Sequence, residues 1–170
     1  HARVALMSVC YHHFIIEHNR GHHVHVATPS DPATSKKDQT VFEFWIQTLI
    51  GSFKSAWNIE KRLLQKKEIK TWSYKNEVIQ GILGSFTIAI LMFSIISLYR
   101  NEISWIVLIH FFGQSMVAIL SLECVNYIEH YGIVRTEVSE GKYEKVNPLH
   151  SWNANHFYSN LLLFHLQRHS

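Results

Sequence analysis

The chain has 170 residues, enough for one domain, and its formal net charge of +3 is too small to indicate a nucleic-acid partner. Its two cysteines, Cys10 and Cys124, form no CxxC pair, which argues against a disulfide framework or a thiolate zinc site and fits a reducing compartment. Histidine is over-represented, with 13 copies, and much of the apolar content falls in two long segments. The composition therefore predicts a membrane protein that uses histidine chemistry.

The first predicted element is a helix over residues 4–26 that carries a histidine cluster. Its run EHNRGHH, residues 17–23, contains three imidazoles and a carboxylate. On an α-helix His18 and His22 share one face, and His23 lies about 100° further round. The cluster predicts a metal site, with a solvated helix face as the open alternative. Imidazole alone does not choose among iron, zinc, copper and nickel.

Residues 28–77 are predicted to be cytoplasmic or interfacial. The first part, from Thr28 to Asp38, contains two prolines and has loop chemistry. From Val41 to Trp57 apolar residues recur at three- and four-residue steps, which is typical of an amphipathic helix. This helix either lies among the lipid headgroups or packs on a protein core, and both alternatives stay open. A solvated basic stretch follows.

Two charge-free segments, residues 78–98 and 103–122, are each long enough to cross a bilayer core of about 30 Å as a helix. A short connection that contains Arg100 joins them into a predicted transmembrane hairpin. Most lysines and arginines lie outside the hairpin, so the positive-inside rule places both flanks, including residues 123–170, in the cytoplasm. The histidine runs then share one cytoplasmic face.

Two further histidine runs follow the second span. Residues 126–132 read NYIEHYG and contain His130, and residues 166–170 read LQRHS and contain His169. Alone, His130 is better interpreted as an interfacial residue whose hydrogen bonds are satisfied, and His169 alone is an equally weak signal. Together with the first cluster, they predict a metal site at the membrane surface.

These three runs resemble the histidine boxes of the bacterial membrane alkane 1-monooxygenases. That family belongs to a membrane di-iron group that includes the fatty-acid desaturases and xylene monooxygenase. NYIEHYG is the most specific of the three, because it separates alkane hydroxylases from desaturases. The resemblance extends to residues 27–33, 55–57 and 151–153, and so covers essentially the whole chain.

The resemblance implies an all-α integral membrane fold. In it, the hairpin and the histidine-rich cytoplasmic helices form part of a larger six-helix bundle. It also implies two non-haem iron ions, whose ligands in this chain would be His18, His22, His23, His130 and His169. Three acidic residues would orient the ligand imidazoles: Glu17, Glu123 and Glu129.

Two features of the family pattern do not occur in these 170 residues: an earlier HExxH-type box and the Asp-His-His that continues the last box. His12 and His13 do not have the spacing of the earlier box. We therefore expect residues 1–170 to be a single internal fragment of one membrane di-iron domain, with segment 1–27 as its first helix. The two spans would be the last pair of the bundle.

In the intact protein the resemblance implies terminal hydroxylation of medium-chain n-alkanes to 1-alkanols. O₂ would be the oxidant, and electrons would come from rubredoxin, itself reduced by an NAD(P)H-dependent reductase. The protein would span the bacterial inner membrane, surrounded by lipid, with its active site on the cytoplasmic side. The charges of Arg135, Lys142 and Lys145 either steer an acidic electron carrier or belong to a plain solvated loop.

Two alternatives remain. A related xylene-type or fatty-acyl hydroxylase, or a desaturase, would keep the chemistry and change the substrate. A membrane zinc carrier or sensor is a more remote alternative. Transport predicts ionisable residues within the spans, and only His110 lies there.

Overall fold

The computed structural model describes residues 1–152, and this part of the chain is mostly helical. A π-helical turn, His18–His22, lies between the second and third helices, and a short 3₁₀ turn, Pro148–His150, follows a small hairpin. The helices are α1 (Ala2–Ser8), α2 (His13–Glu17), α3 (His23–His25), α4 (Val41–Gln65), α5 (Glu77–Arg100) and α6 (Ile106–His130). The strands are β1 (Glu137–Ser139) and β2 (Lys142–Tyr143), paired antiparallel.

The prediction of one continuous helix over residues 4–26 is wrong, because the segment is divided into shorter elements. Helix α1 ends at Ser8, and Cys10 takes a left-handed backbone conformation with φ 56°, which an α-helix cannot accommodate. The chain resumes as α2 at His13 and then widens into the π-helical turn. Hydrogen bonds in a π-helix join residues five apart rather than four. The α-helical spacing that predicted His18 and His22 on one face therefore does not apply to this turn.

Helix α4 begins with a capping box. The Thr40 hydroxyl accepts from the backbone N–H of Glu43, and the Glu43 carboxylate accepts from the backbone N–H of Thr40. The helix continues past the predicted end at Trp57 to Gln65. Its buried side is formed by residues four apart: Phe44, Thr48, Ser52 and Ala56.

The apolar stripe that the sequence pattern identified lies on a different side of α4. Of its residues, Phe42, Ile46 and Phe53 are exposed, whereas Trp45, Leu49 and Trp57 are half-buried. The exposed part of the stripe does not face a protein core within the described chain. Of the two alternatives for this helix, the exposed stripe favours the one in which it contacts lipid.

Helices α5 and α6 match the two predicted spans, and both are long and apolar enough to cross a membrane. Only 17% and 22% of their most apolar windows is buried, whereas a core helix of a soluble protein is mostly buried. Asn76 caps α5 by accepting from the backbone N–H groups of Val78 and Ile79. Helix α6 starts at Ile106 and runs beyond the predicted end at Leu122, so that His130 is its last residue.

The described chain forms two compact units. The first contains His1–Gly21 and Ser52–Leu122, and the second contains His22–Gly51 and the described residues from Glu123 onward. In the first unit, Ile16, Ala56, Ile59 and Val78 form an apolar cluster. The buried Glu60 carboxylate there accepts from Arg20, at 2.9 Å, and from the backbone N–H of Glu77, at 3.0 Å.

The prediction of an all-α fold needs one correction, because β1 and β2 form a two-stranded hairpin in the second unit. Gly141 lies in its turn with φ 69°, a conformation that glycine adopts without steric cost. The strands are only three and two residues long, too short for period-two alternation to mark them in the sequence.

Candidate metal centre

The second unit brings His22 and His130 together across a large sequence separation. Their Nε2 atoms are 3.1 Å apart, and the ring centroids are separated by 4.7 Å. Both side chains are buried, at 2% exposure each. His22 ends the π-helical turn and His130 ends α6, so both rings are carried by helical backbone.

The outer nitrogen of each ring has an acceptor as its partner. His22 Nδ1 lies 2.9 Å from Asp31 Oδ2, and His130 Nδ1 lies 3.1 Å from the carbonyl oxygen of His150. A carbonyl oxygen and an ionised carboxylate only accept hydrogen bonds, so Nδ1 carries the hydrogen in both rings. In the neutral rings, each Nε2 then presents a lone pair toward the other. Two lone pairs at this distance repel each other unless a cation or a proton lies between them.

This donor set fits a metal ion. Two imidazole nitrogens at about 2.1 Å from one ion, and at right angles to each other, are about 3.0 Å apart. A cavity of about 20 Å³ adjoins the pair and is lined by His22, His23, His130 and His150, among others. That space suffices for one water-sized group. Neutral imidazoles whose second nitrogen donates to a carboxylate or a carbonyl are the usual form of histidine ligands.

Asp31 is fully built into this arrangement. Its carboxylate accepts from His22, from the Thr34 hydroxyl and from the backbone N–H of Ala33 at 3.0 Å. Burial acts to raise the pKa of Asp31, but the hydrogen bond and charge of His22 and the bonds from Thr34 and Ala33 outweigh it, so the pKa lies below its usual value. Asp31 is therefore ionised at neutral pH and holds the His22 ring in one tautomer.

The loop after the first histidine cluster is fixed to the end of α6. The Ser35 hydroxyl donates to the carbonyl of Tyr127 at 2.7 Å, and the N–H of Gly132 donates to the carbonyl of Ser35 at 3.0 Å. Gly132 has φ 69°, which explains a glycine at the end of the NYIEHYG run. These bonds hold His130 at a defined place relative to the loop that carries Asp31.

Arg135 has a structural role that the sequence did not reveal. Its Nη1 donates to the carbonyls of Val24 and Val26, at 2.9 and 3.2 Å, and its Nε donates to the carbonyl of Glu144 at 3.0 Å. The residue is only 8% exposed. For Arg135 the alternative of a plain solvated loop is therefore wrong, because its guanidinium is committed to the backbone after the histidine cluster, and steering of an electron carrier stays a prediction. Lys142 and Lys145 are exposed.

The other predicted ligands have different outcomes. The His23 ring lies 6.0 Å from that of His22 and lines the same cavity. His23 is exposed overall, but partial burial of its ring first, and the neighbouring His22 second, lower the pKa of His23, which favours the neutral form. His18 belongs to the first unit, where its ring stacks on Phe14. His169 lies outside the described residues.

The three predicted acidic positions are all buried. Glu129 lies close enough to His22 for their charges to interact. Glu123 accepts from the Thr48 hydroxyl at 2.8 Å and from the Asn126 amide. Glu17 ends α2 and lies against Gly21. Within residues 1–152 no group of three or more His, Cys, Asp or Glu side chains is arranged to hold a metal ion.

Comparison of the sequence with known proteins shows which family the chain belongs to. The family profile described as fatty acid desaturase matches residues 2–170. This chain belongs to the fatty acid desaturase family. The family is membrane-bound, in agreement with the two spans of α5 and α6. The resemblance to the membrane di-iron group that the histidine runs indicated is thus confirmed at the level of the family.

Within the fatty acid desaturase family, the chain is similar to alkane monooxygenases. It is 39% identical to an alkane 1-monooxygenase of Pseudomonas putida and 44% identical to one of Acinetobacter baylyi; each match covers 99% of this chain and 40% of the relative. A xylene/toluene monooxygenase hydroxylase component of Pseudomonas putida is 29% identical over 71% of this chain and 31% of its own length. The chain thus spans about two fifths of the alkane monooxygenase relatives it matches.

Sequence reasoning on this desaturase-family chain missed Asp31, Arg135 and the His150 carbonyl. The sequence marks Asp31 only as part of the stretch 27–33, which resembles the family. A signal did exist, because histidine ligands usually pair with a carboxylate, and Asp31 lies in the loop that follows the cluster. No sequence spacing could identify the carbonyl of His150, since every residue carries one.

Proposed function

We propose that the protein hydroxylates the terminal methyl group of medium-chain n-alkanes at two histidine-bound iron ions. The observation that carries this proposal is the facing pair of Nε2 atoms of His22 and His130, each with its other nitrogen hydrogen-bonded. The names of the alkane 1-monooxygenase relatives, at about 40% identity, support the substrate class. The iron ions would supply the activation of O₂, with electrons from rubredoxin and its NAD(P)H-dependent reductase.

The residues of this chain would act by position. His22 and His130 would hold one iron, with His23 and His18 completing the part of the ligand set that these residues contribute. His169 is proposed as a further ligand. Asp31 and the carbonyl of His150 keep the two central rings in the tautomer that presents Nε2. Glu17, Glu123 and Glu129 are proposed to support the ligands from buried positions.

The membrane supplies the physical logic of the reaction. An alkane partitions into the hydrocarbon core, so it can reach a site at the membrane surface between apolar helices such as α5 and α6. The protein then aligns the methyl group and excludes water. We propose that the site faces the cytoplasm of a bacterial inner membrane, because most lysines and arginines lie in the segments that flank the hairpin and only Arg100 lies in its connection.

The test uses the full-length protein, purified in detergent. Its metal content is measured, and octane is supplied with rubredoxin, reductase and NADH. We expect iron at two ions per protein and 1-octanol as product. His22→Ala and His130→Ala should each lose iron and turnover, while the matched control His25→Ala, an exposed histidine of the same segment, should retain both.

Each possible result has a clear meaning. Iron and 1-octanol would support the proposal as a whole. Full turnover by His22→Ala or His130→Ala would remove that residue from the ligand set. Zinc bound in place of iron, with no oxygen chemistry, would overturn the enzyme proposal in favour of the zinc carrier or sensor.

One second candidate has an observation in its favour. The 29% identity to a xylene/toluene monooxygenase component supports an arene as substrate, with the same metal chemistry. The family description leaves a fatty-acyl hydroxylase or desaturase as a related alternative. Iron without 1-octanol, followed by product formation from xylene or from an acyl chain, would identify either one.

A further inference from the structure

A groove in the first unit is separate from the histidine pair. It lies between α4 and the first turns of α5 and has a volume of about 380 Å³, within the range of small-molecule sites in proteins. Its lining is apolar apart from one lysine and one asparagine. The apolar residues are Phe53, Trp57, Trp72, Ile79 and Ile82.

The two tryptophans give the groove the character of a membrane interface. The rings of Trp57 and Trp72 contact each other, with centroids 4.9 Å apart, and Trp72 is 80% exposed. Ile79 and Ile82 lie in the first two turns of α5, where a candidate membrane span begins. Tryptophan concentrates at the level of the lipid headgroups, because its ring is apolar and its N–H is polar.

The charge next to the groove is positive. Lys54 lines the groove and is exposed, and four more exposed lysines follow later along the chain: Lys66, Lys67, Lys70 and Lys75. None of these lysines forms an ion pair with another side chain of residues 1–152. An apolar slot with a lysine on its wall is complementary to a molecule that has an acyl chain and an anionic head.

We propose that this groove binds an anionic phospholipid of the leaflet in which α5 begins. One acyl chain fills the slot between Trp57, Trp72 and Ile79, and the headgroup phosphate interacts with Lys54. A neutral hydrocarbon gains nothing from the lysine, so the charge complementarity favours a phospholipid over an alkane. The exposed apolar stripe of α4 extends the same lipid contact along the membrane surface.

The experiment places the full-length protein in phosphatidylcholine bilayer discs. In one set of discs a small fraction of the lipid is phosphatidylglycerol with brominated acyl chains, and in the other set it is phosphatidylcholine with brominated acyl chains. Bromine quenches tryptophan fluorescence on contact. The difference between the wild type and Trp72→Phe isolates the emission of Trp72. One lysine near an anionic headgroup corresponds to about fivefold in affinity. We therefore expect half-maximal quenching of Trp72 at about a fivefold lower fraction of phosphatidylglycerol than of phosphatidylcholine.

Two lysine variants distinguish a specific lipid site at Lys54 from diffuse attraction of anionic lipid to the basic stretch. Lys54→Gln should remove the preference for phosphatidylglycerol, while Lys66→Gln, an exposed lysine outside the groove lining, should keep it. Equal quenching by the two lipids in the wild type would overturn the proposal. Loss of the preference in both variants would also overturn it, in favour of diffuse attraction to the basic stretch. This readout does not depend on iron or turnover, so it can fail without the proposed function failing.

Discussion

At the scale of single residues, Asp31 orients the His22 ring and is not itself a proposed metal ligand. It contacts His22 Nδ1, on the side of the ring away from His130. Asp31→Asn keeps the size of the side chain but removes its charge. We expect it to weaken iron binding by about 10- to 100-fold, as is usual for the loss of a carboxylate that orients a histidine ligand. Iron content under chelator competition measures this.

Asp38→Asn is the matched control for this prediction, because Asp38 is exposed in the same loop. It should bind iron as the wild type does. If Asp31→Asn held iron equally well against the chelator, the carboxylate would have no orienting role.

Gly21 is the second position where one residue decides the local packing. A Cβ built there would lie 2.5 Å from Glu17 Oε1 and 3.2 Å from Ser55 Oγ. Gly21→Ala should therefore destabilise the protein by roughly 1–3 kcal/mol through overpacking. Gly113→Ala in α6 meets no atom within 4 Å and should be neutral or slightly stabilising. Thermal unfolding in detergent distinguishes them, and equal midpoints would contradict the close approach at Gly21.

Residue identities could be predicted only where a motif named them. His22, His23 and His130 are predicted as ligands because their runs match a known pattern; the structure places His22 and His130 together, and their binding of a metal stays a prediction. Arg135 was misjudged, since a charged residue in a polar loop is usually solvated. Its burial depends on three backbone carbonyls, and no sequence pattern encodes carbonyl positions.

At the scale of elements, the start of α5 depends on one side chain. Asn76 is fully buried, caps the helix at Val78 and Ile79, and donates to the carbonyl of Thr71 at 3.1 Å. Asn76→Ala should cost about 0.5–2 kcal/mol of stability. Asn76→Asp keeps the accepting oxygen but loses the N–H that donates to the Thr71 carbonyl, so it should recover only part of that loss. Unfolding midpoints in detergent measure both, and an unchanged midpoint for Asn76→Ala would show that the span needs no cap.

Long helices were predictable from sequence, and short irregular ones were not. The existence of α4, α5 and α6 followed from periodicity and from charge-free length, which act over many residues. The break at Cys10 and the π-helical turn depend instead on local backbone geometry with no compositional mark. The capping box at Thr40 and Glu43 is visible in the sequence and agrees with the predicted start of α4 at Val41.

At the scale of the whole molecule, the distribution of basic residues predicts the orientation in the membrane. Cysteines are introduced singly at Glu102, in the connection between α5 and α6, and at Lys66, in the basic stretch. Cys10 and Cys124 are first replaced by serine. A membrane-impermeant maleimide should label Glu102→Cys in intact cells and Lys66→Cys only after permeabilisation. The reverse pattern would invert the topology and place the histidine runs outside the cytoplasm.

The whole-molecule arrangement was the least predictable level. Hydropathy identified the two spans, and the histidine runs could be placed on one side of them. The pairing of His22 with His130 joins residues more than a hundred positions apart and depends on the loop that Ser35 fixes to α6. Only tertiary packing determines such a contact.

Because α6 is uninterrupted, it fixes the distance between its charge-free segment and His130. From the last residue of the charge-free segment, Leu122, to His130 the rise is about 12 Å at 1.5 Å per residue. The depth of the His130 imidazole below or above the hydrocarbon is thus set by a count of residues rather than by a flexible hinge. Adding one residue between them would lift the ring by about 1.5 Å and swing it through about 100°, away from His22. The distance along α6 between His130 and the charge-free segment therefore changes by about 1.5 Å for each residue that is added or removed.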